Sequence, residues 1–219
     1  MTEKNLETLY PFLQGAGEPA QRDAALLHSV SAKARESRET NERFFADHAP
    51  ALLAAARAIA DSYRGGGRLF VMGNGGSSCD AAHVAVEFQH PVTTGRRALP
   101  AINLSADVAM LSAVGNDVGF EHAFVRQLIA HGRRGDALIG ISTSGNSRNL
   151  IAAFAKAREM GIATVGLSGG DGGRMRTSGL VEHCLVVPSQ SIHRIQEGHV
   201  VAYHILWDLA HSLLGNEVR

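Results

Sequence analysis

Ala137-Leu138-Ile139-Gly140-Ile141-Ser142-Thr143-Ser144-Gly145-Asn146-Ser147 is the stretch that decides the fold. Its first five residues are apolar without interruption, as in a strand buried on both faces. The next six hold four hydroxyls, a glycine and an asparagine, which is turn chemistry. Residues 148–160 then carry a helical pattern. Working outward, the same alternation starts at residue 68. Strands are expected over 68–72, 101–104, 137–141, 163–167 and 184–187. Helices are expected over about 78–90, 107–114, 120–131, 148–160 and 193–214. Apolar strands separated by helices imply a three-layer α/β/α sandwich around a five-stranded parallel sheet. Ahead of it, residues 1–20 carry Pro11, Gly15, Gly17 and Pro19 and read as an extension. Residues 21–47 read as a helix. Pro50 is expected to open a second helix, closed by Gly65-Gly66-Gly67. The expected division is 1–49 as N-terminal extension and helix, and 50–219 as the α/β domain.

The 219 residues are 45% hydrophobic and 19% charged, which suits a folded domain and not a disordered chain. Lys+Arg and Asp+Glu both number 21, so no general attraction to nucleic acid or anionic membranes is expected. Two cysteines, Cys79 and Cys184, make no disulfide framework and fit a reducing compartment. The polar start, Met1-Thr2-Glu3-Lys4-Asn5, lacks a signal-peptide core. The longest apolar stretch, residues 51–60, is short and contains Arg57, so no membrane span is expected. The expected location is the cytoplasm.

Ligands of such sheets sit beyond the carboxyl ends of the strands, and the unusual loops fall there. Ser142, Thr143, Ser144 and Ser147 precede a helix whose N-terminus offers N–H groups and a partial positive charge. That makes a phosphate site without lysine. Ser147 as a simple N-cap would need only one of the four hydroxyls. Gly73-Asn74-Gly75-Gly76-Ser77-Ser78 follows the first strand; Gly75 and Gly76 allow close backbone approach, while Ser77-x-x-Asp80 fits a capping box. Ser168-Gly169-Gly170-Asp171-Gly172-Gly173 follows the fourth. In the helix after the first loop, His83 and Glu87 are spaced i, i+4 on one face. The last helix carries Gln196, Glu197, His199 and His204. Histidines and a carboxylate from two helices suit either a metal or an acid/base pair, and spacing alone leaves both open. His199 and His211 are expected at the surface.

Gly73-Asn74-Gly75-Gly76-Ser77, His83-x-x-x-Glu87, Gly115-Asn116-Asp117, Gly140-Ile141-Ser142-Thr143-Ser144-Gly145-Asn146-Ser147 and Arg194-Ile195-Gln196-Glu197 occur in this order. Together they resemble the sugar isomerase (SIS) domain of the phosphoheptose isomerases, over roughly residues 50–212. The resemblance implies an aldose–ketose isomerase converting sedoheptulose 7-phosphate to a D-glycero-D-manno-heptose 7-phosphate. It implies a homotetramer with active sites between subunits. It implies Glu87 as general base, His204 as general acid, and a substrate site lined by Asn74, Gly75, Gly76, Ser77, Glu87, Asn116, Asp117, Ser142, Thr143, Ser144, Ser147 and Gln196. It also implies zinc on His83, Glu87, Gln196 and His204, a cluster expected across a subunit boundary.

Two positions depart from the family pattern. Phe88-Gln89-His90-Pro91 stands where the family has a Leu-Thr-Gly-Arg-like stretch, and Arg96 or Arg97 is the expected replacement for the lost base. His193 stands where Asp is common. The alternatives are an isomerase of another sugar phosphate and a non-catalytic SIS tetramer of the DnaA-binding type. The latter class lacks the carboxylate–histidine pair kept here.

Overall fold

The computed structural model describes residues 19–215. The chain divides into two compact units, residues 1–39 and 40–219. Of the expected extension over 1–20, residues 1–18 lie outside the described residues, and 19–20 already belong to a helix. In the first unit the described residues are the opening turns of α1 (Pro19–Arg64), with Leu26, Leu27 and Val30 exposed. The elements that follow are β1 (Leu69–Gly73), α2 (Gly76–Gln89), β2 (Ala101–Asn103) and α3 (Val108–Asp117). A 3-10 turn (Phe120–His122), α4 (Ala123–His131), β3 (Ala137–Ile141) and α5 (Arg148–Met160) come next. The chain then forms β4 (Ala163–Gly169), α6 (Gly173–Thr177), β5 (His183–Val187) and α7 (Ile192–Gly215).

The five strands are all parallel, in the order β2-β1-β3-β4-β5. The chain leaves β1 for one side and returns to β3 on the other. The switch point therefore lies between β1 and β3, where doubly wound sheets open a crevice. Alternate residues of one strand point to opposite faces. Leu69 and Val71 pack with Phe44, Ile59, Val84, Phe88 and Leu206, from α1, α2 and α7. Phe70 and Met72 pack with Phe124, Leu128, Leu150, Phe154 and Met175, from α4, α5 and α6. These are the three layers expected. Gly140 lets the second face close: a Cβ there would sit 2.4 Å from Phe154 Cζ.

Pro50 does not open a new helix; it lies inside α1. An interior proline costs about 3 kcal/mol. The turns around it bury Phe44, Leu52, Ile59 and Tyr63, and each large side chain contributes about 1.5–3 kcal/mol. Packing on the sheet outweighs the lost hydrogen bond, so the expected boundary at 49/50 falls within one helix. The short α6 was not expected, because its Gly172-Gly173 start reads as loop; both glycines have positive φ. No described helix is long and apolar enough to cross a membrane.

Candidate active site

The loops after β1 and β3 meet, as their places on adjacent strands require. The Asn74 and Asn149 amides bond reciprocally, each Nδ2 donating to the other's Oδ1 at 2.9 Å. Ser105 pins the end of β1, its Oγ accepting from Gly73 N at 3.2 Å and donating to Gly73 O at 2.8 Å. In the 142–147 loop, Ser142 Oγ and Ser147 Oγ lie 3.0 Å apart. Ser147 occupies the N-cap of α5 but makes no side-chain cap bond, so its hydroxyl is not consumed by capping. Gly145 has φ +64, and a Cβ there would sit 2.1 Å from Gly172 O. Only glycine lets this loop lie against the loop after β4.

Cavities flank the 142–147 loop. One, of about 360 Å³, is lined by Thr143, Ser144, Gly170, Asp171 and Gln190 among others. Another, of about 440 Å³, is lined by Asn74, Phe120, Ser147, Arg148 and Asn149 among others. Helix N-terminal N–H groups and these hydroxyls are donors suited to a phosphate. Asn116 and Asp117 end α3, exposed and bonded to each other at 2.9 Å. The chain just beyond them, Gly119 to Glu121, reaches the second cavity.

The helix α2 starts at Gly76 behind a Gly75 N-cap with φ +55, not at a Ser77–Asp80 capping box. Ser77 is buried, and Asp80 instead accepts from Gln196 Nε2 at 2.9 Å. Gly76 leaves room for that amide, since a Cβ would meet Gln196 Nε2 at 2.7 Å. Burial pushes the Asp80 carboxyl above its usual range, opposed by the Gln196 bond and by His83.

Further along α2, His83, Glu87 and His204 each offer a ligand atom within 4.8 Å of the others. His83 Nε2 lies 3.3 Å from Glu87 Oε1, and its ring is 5.0 Å from that of His204. The Tyr203 hydroxyl bonds His83 Nδ1 at 2.8 Å. Burial raises the Tyr203 pKa, and the Asp80 and Glu87 charges raise it further, so the phenol keeps its proton. Trp207 Nε1 donates to the Glu87 carbonyl at 2.8 Å. One chain brings His83, Glu87 and His204 together by itself. Two imidazoles and a carboxylate form a donor set that fits zinc. Gln196 Nε2 is committed to Asp80, which leaves its Oε1 as the acceptor atom.

The 142–147 loop and the His83–Glu87–His204 cluster lie at opposite ends of the sheet in one chain. Gly76 follows the carboxyl end of β1. Glu87 stands eleven residues later, about 16 Å along the helix. Its neighbour Gln89 donates to Ala101 O at 2.8 Å, and Ala101 is in register with Leu69, the first residue of β1.

Arg96, an expected replacement for the family's basic residue, lies on the Trp207 side of the cluster and not among the loops after β1 and β3. It pairs with Asp208 at 2.6 Å and covers the Trp207 ring at 5.3 Å. It lines a separate cavity of about 560 Å³, together with Arg97 and His211. His193 is exposed at the start of α7.

His199 and His211 are buried, contrary to the surface expectation. A helix facing a sheet buries one full stripe, and both fall on it with Ala202, Leu206 and Ala210. Burial and the nearby Arg96 and Arg97 lower the His211 pKa. His199 is fully buried; Nε2 donates to Ser168 O at 3.0 Å while Nδ1 has no partner. Burial lowers its pKa from 6.5 to about 4, against the raising effect of the Ser168 bond. The unfolded chain therefore binds the proton first as pH falls, and stability is lost between pH 6.5 and about 4. The loss attributable to His199 is about 2 kcal/mol at pH 5. Urea unfolding at pH 7.5 and 5 should show it, and His199→Gln should remove that part of the slope.

The SIS domain family matches residues 34–169. The phosphoheptose isomerase of Geobacter sp. (strain M21) is 45% identical over 184 residues, covering 84% of this chain and 95% of that protein. The phosphoheptose isomerase of Aneurinibacillus thermoaerophilus is 46% identical over 160 residues, covering 73% and 79%. Among solved structures, the phosphoheptose isomerase of Neisseria gonorrhoeae superposes with a TM-score of 0.79 at 35% identity, covering 85% of this chain and 99% of that one. That of Francisella tularensis gives 0.80 at 33% identity, covering 85% and 98%. A sheet with loops meeting at its switch point, a carboxylate–histidine cluster and these likenesses lead to one assignment: the chain belongs to the SIS-domain phosphoheptose isomerase family.

Proposed function

We propose that the protein interconverts sedoheptulose 7-phosphate and a D-glycero-D-manno-heptose 7-phosphate through an enediol. The observation that carries this is the approach of the Glu87 carboxylate and the His204 imidazole within 4.8 Å. Moving the carbonyl from C2 to C1 requires a base for the C1 proton and an acid for the C2 carbonyl oxygen. Glu87 takes the proton and His204 gives one. The proton returned to C2 and the one released from O1 restore both groups. Residues 142–147 hold the phosphate at the α5 N-terminus, and Asn74 shapes the crevice wall. Asn116 and Asp117 are assigned to the sugar hydroxyls, and Gln196 to the seam between α2 and α7.

His83, Glu87 and His204 of one chain would hold a zinc ion, which would polarise the carbonyl; Gln196, seated beside Gly76 and Asp80, would join them only from a second subunit. Protein purified without chelator should retain zinc by elemental analysis. Its absence after zinc addition would remove the ion and leave the acid/base pair standing.

The working form is read as a homotetramer with sites between subunits. Carbonyl carbon to phosphorus in this substrate spans about 8–9 Å at the bond lengths of an extended chain. The rise of about 16 Å from Gly76 to Glu87 along α2 exceeds that, which favours a second copy completing each site. Free Cys79 and Cys184 suit a cytoplasmic location.

Incubation with sedoheptulose 7-phosphate, followed by NMR of the product, tests the function. Conversion of a different ketose phosphate alone would favour a related isomerase, a reading kept open by residues 88–91. Binding without turnover would favour the non-catalytic class.

A further inference from the structure

We infer that Tyr203 is a positioning residue for His83: its hydroxyl holds the Nδ1 edge of the ring so that Nε2 faces Glu87 and His204. This rests on the acid/base and zinc reading of the same cluster.

An imidazole presents one nitrogen on each edge, and the bond made by one edge sets the tautomer and direction of the other. The His83 side chain is 41% exposed, so packing alone does not fix it. Its χ2 torsion is of the broad terminal kind, with no sharp staggered well. Tyr203 supplies what is missing. It is buried, at 2% exposure, and its ring meets the His83 ring edge-on at 5.3 Å and the His204 ring at 4.8 Å. Its hydroxyl bonds Nδ1 at 2.8 Å while Nε2 lies 3.3 Å from Glu87 Oε1. A phenol both donates and accepts, so this one contact serves two states. When the hydroxyl donates to Nδ1, Nε2 carries the proton and turns it to Glu87. When the hydroxyl accepts from Nδ1–H, the Nε2 lone pair is free for a cation.

Tyr203→Phe keeps the ring contacts and removes only this bond. The expected result is zinc affinity weakened about 10–100-fold, read by competition with a chromophoric chelator. In metal-free protein the ring-nitrogen NMR shifts of His83 should also move, while thermal unfolding stays close to wild type. Unchanged affinity together with unchanged shifts overturns the inference. If the wild type isomerises but takes up no zinc, the zinc reading fails by itself. The metal-free shifts then decide Tyr203: movement supports it and constancy overturns it. A variant that binds zinc weakly only because it has partly unfolded is recognised by its melting curve. The His83 ring-nitrogen shifts of the folded fraction, read well below its melting temperature, then repeat the test; shifts equal to those of the wild type count against the inference.

Discussion

Glu87→Gln should lower kcat at least about 10²-fold and leave KM within a few-fold, because a general base contributes about 10²–10⁴-fold. The amide keeps the shape of the side chain and cannot accept the C1 proton. His204→Asn should act similarly on the acid side. Substrate affinity is expected to persist because the proposed phosphate site, residues 142–147, is at the far end of the sheet from Glu87. Ser144→Ala supplies the contrast. It removes one neutral hydrogen bond, worth about 0.5–1.5 kcal/mol, and should raise KM with little change in kcat. The Trp207 bond to the Glu87 backbone carbonyl involves no carboxylate atom, so α2 should remain anchored in Glu87→Gln. Steady-state kinetics on sedoheptulose 7-phosphate, with circular dichroism to confirm folding, reads the result. Undiminished turnover in both Glu87→Gln and His204→Asn would remove these residues as the proton-transfer pair.

The sheet was legible because parallel strands covered on both faces must be apolar at every position. Leu69–Gly73 and Ala137–Ile141 are buried throughout and stand out in the sequence for that reason. Loop chemistry at 73–78 and 142–147 was legible because glycines and hydroxyls cluster where a strand hands over to a helix. The i, i+4 pair of His83 and Glu87 needs only helical geometry. What escaped depends on contacts distant in sequence. Asn149 reads as the interior of a helix until Asn74, 75 positions earlier, is found opposite it. Asp80 looks like half of a capping box until Gln196 reaches it from α7. Pro50 looks like a helix start because its local cost is plain and the core that offsets it is not. Arg96 looks available to a substrate because neither Asp208 nor Trp207 is near it in the sequence. Nothing in the residue pattern tells that the phosphate loop and Glu87 face opposite ends of one sheet. That follows only from α2 running back along β1.

This separation has the other large consequence. Ser144→Asp places a negative charge on the exposed loop where phosphate would bind, so the variant alone should be nearly inactive through like-charge repulsion. Glu87→Gln alone should be nearly inactive for want of a base. If each site joins the loop of one subunit to the acid/base cluster of another, unfolding and refolding the two variants together restores some sites. An intact site then needs its loop from the Glu87→Gln chain and its carboxylate from the Ser144→Asp chain. Random assembly of equal amounts gives about one quarter of sites in that combination, so activity should rise from near background to about one quarter of wild type. A site built within one chain can never regain both halves by mixing. The measurement is turnover after co-refolding, with native mass spectrometry to verify mixed oligomers. Mixed oligomers without recovered activity would place the whole reaction in a single chain. Glu87 would then have to reach the substrate from a place about 16 Å along α2 from Gly76, nearly twice the span of the sugar phosphate. In that event either the loop or the cluster would have been assigned the wrong role, and the kinetics of the single variants would say which. Loss of KM control in Ser144→Ala implicates the loop, and loss of kcat in Glu87→Gln implicates the cluster.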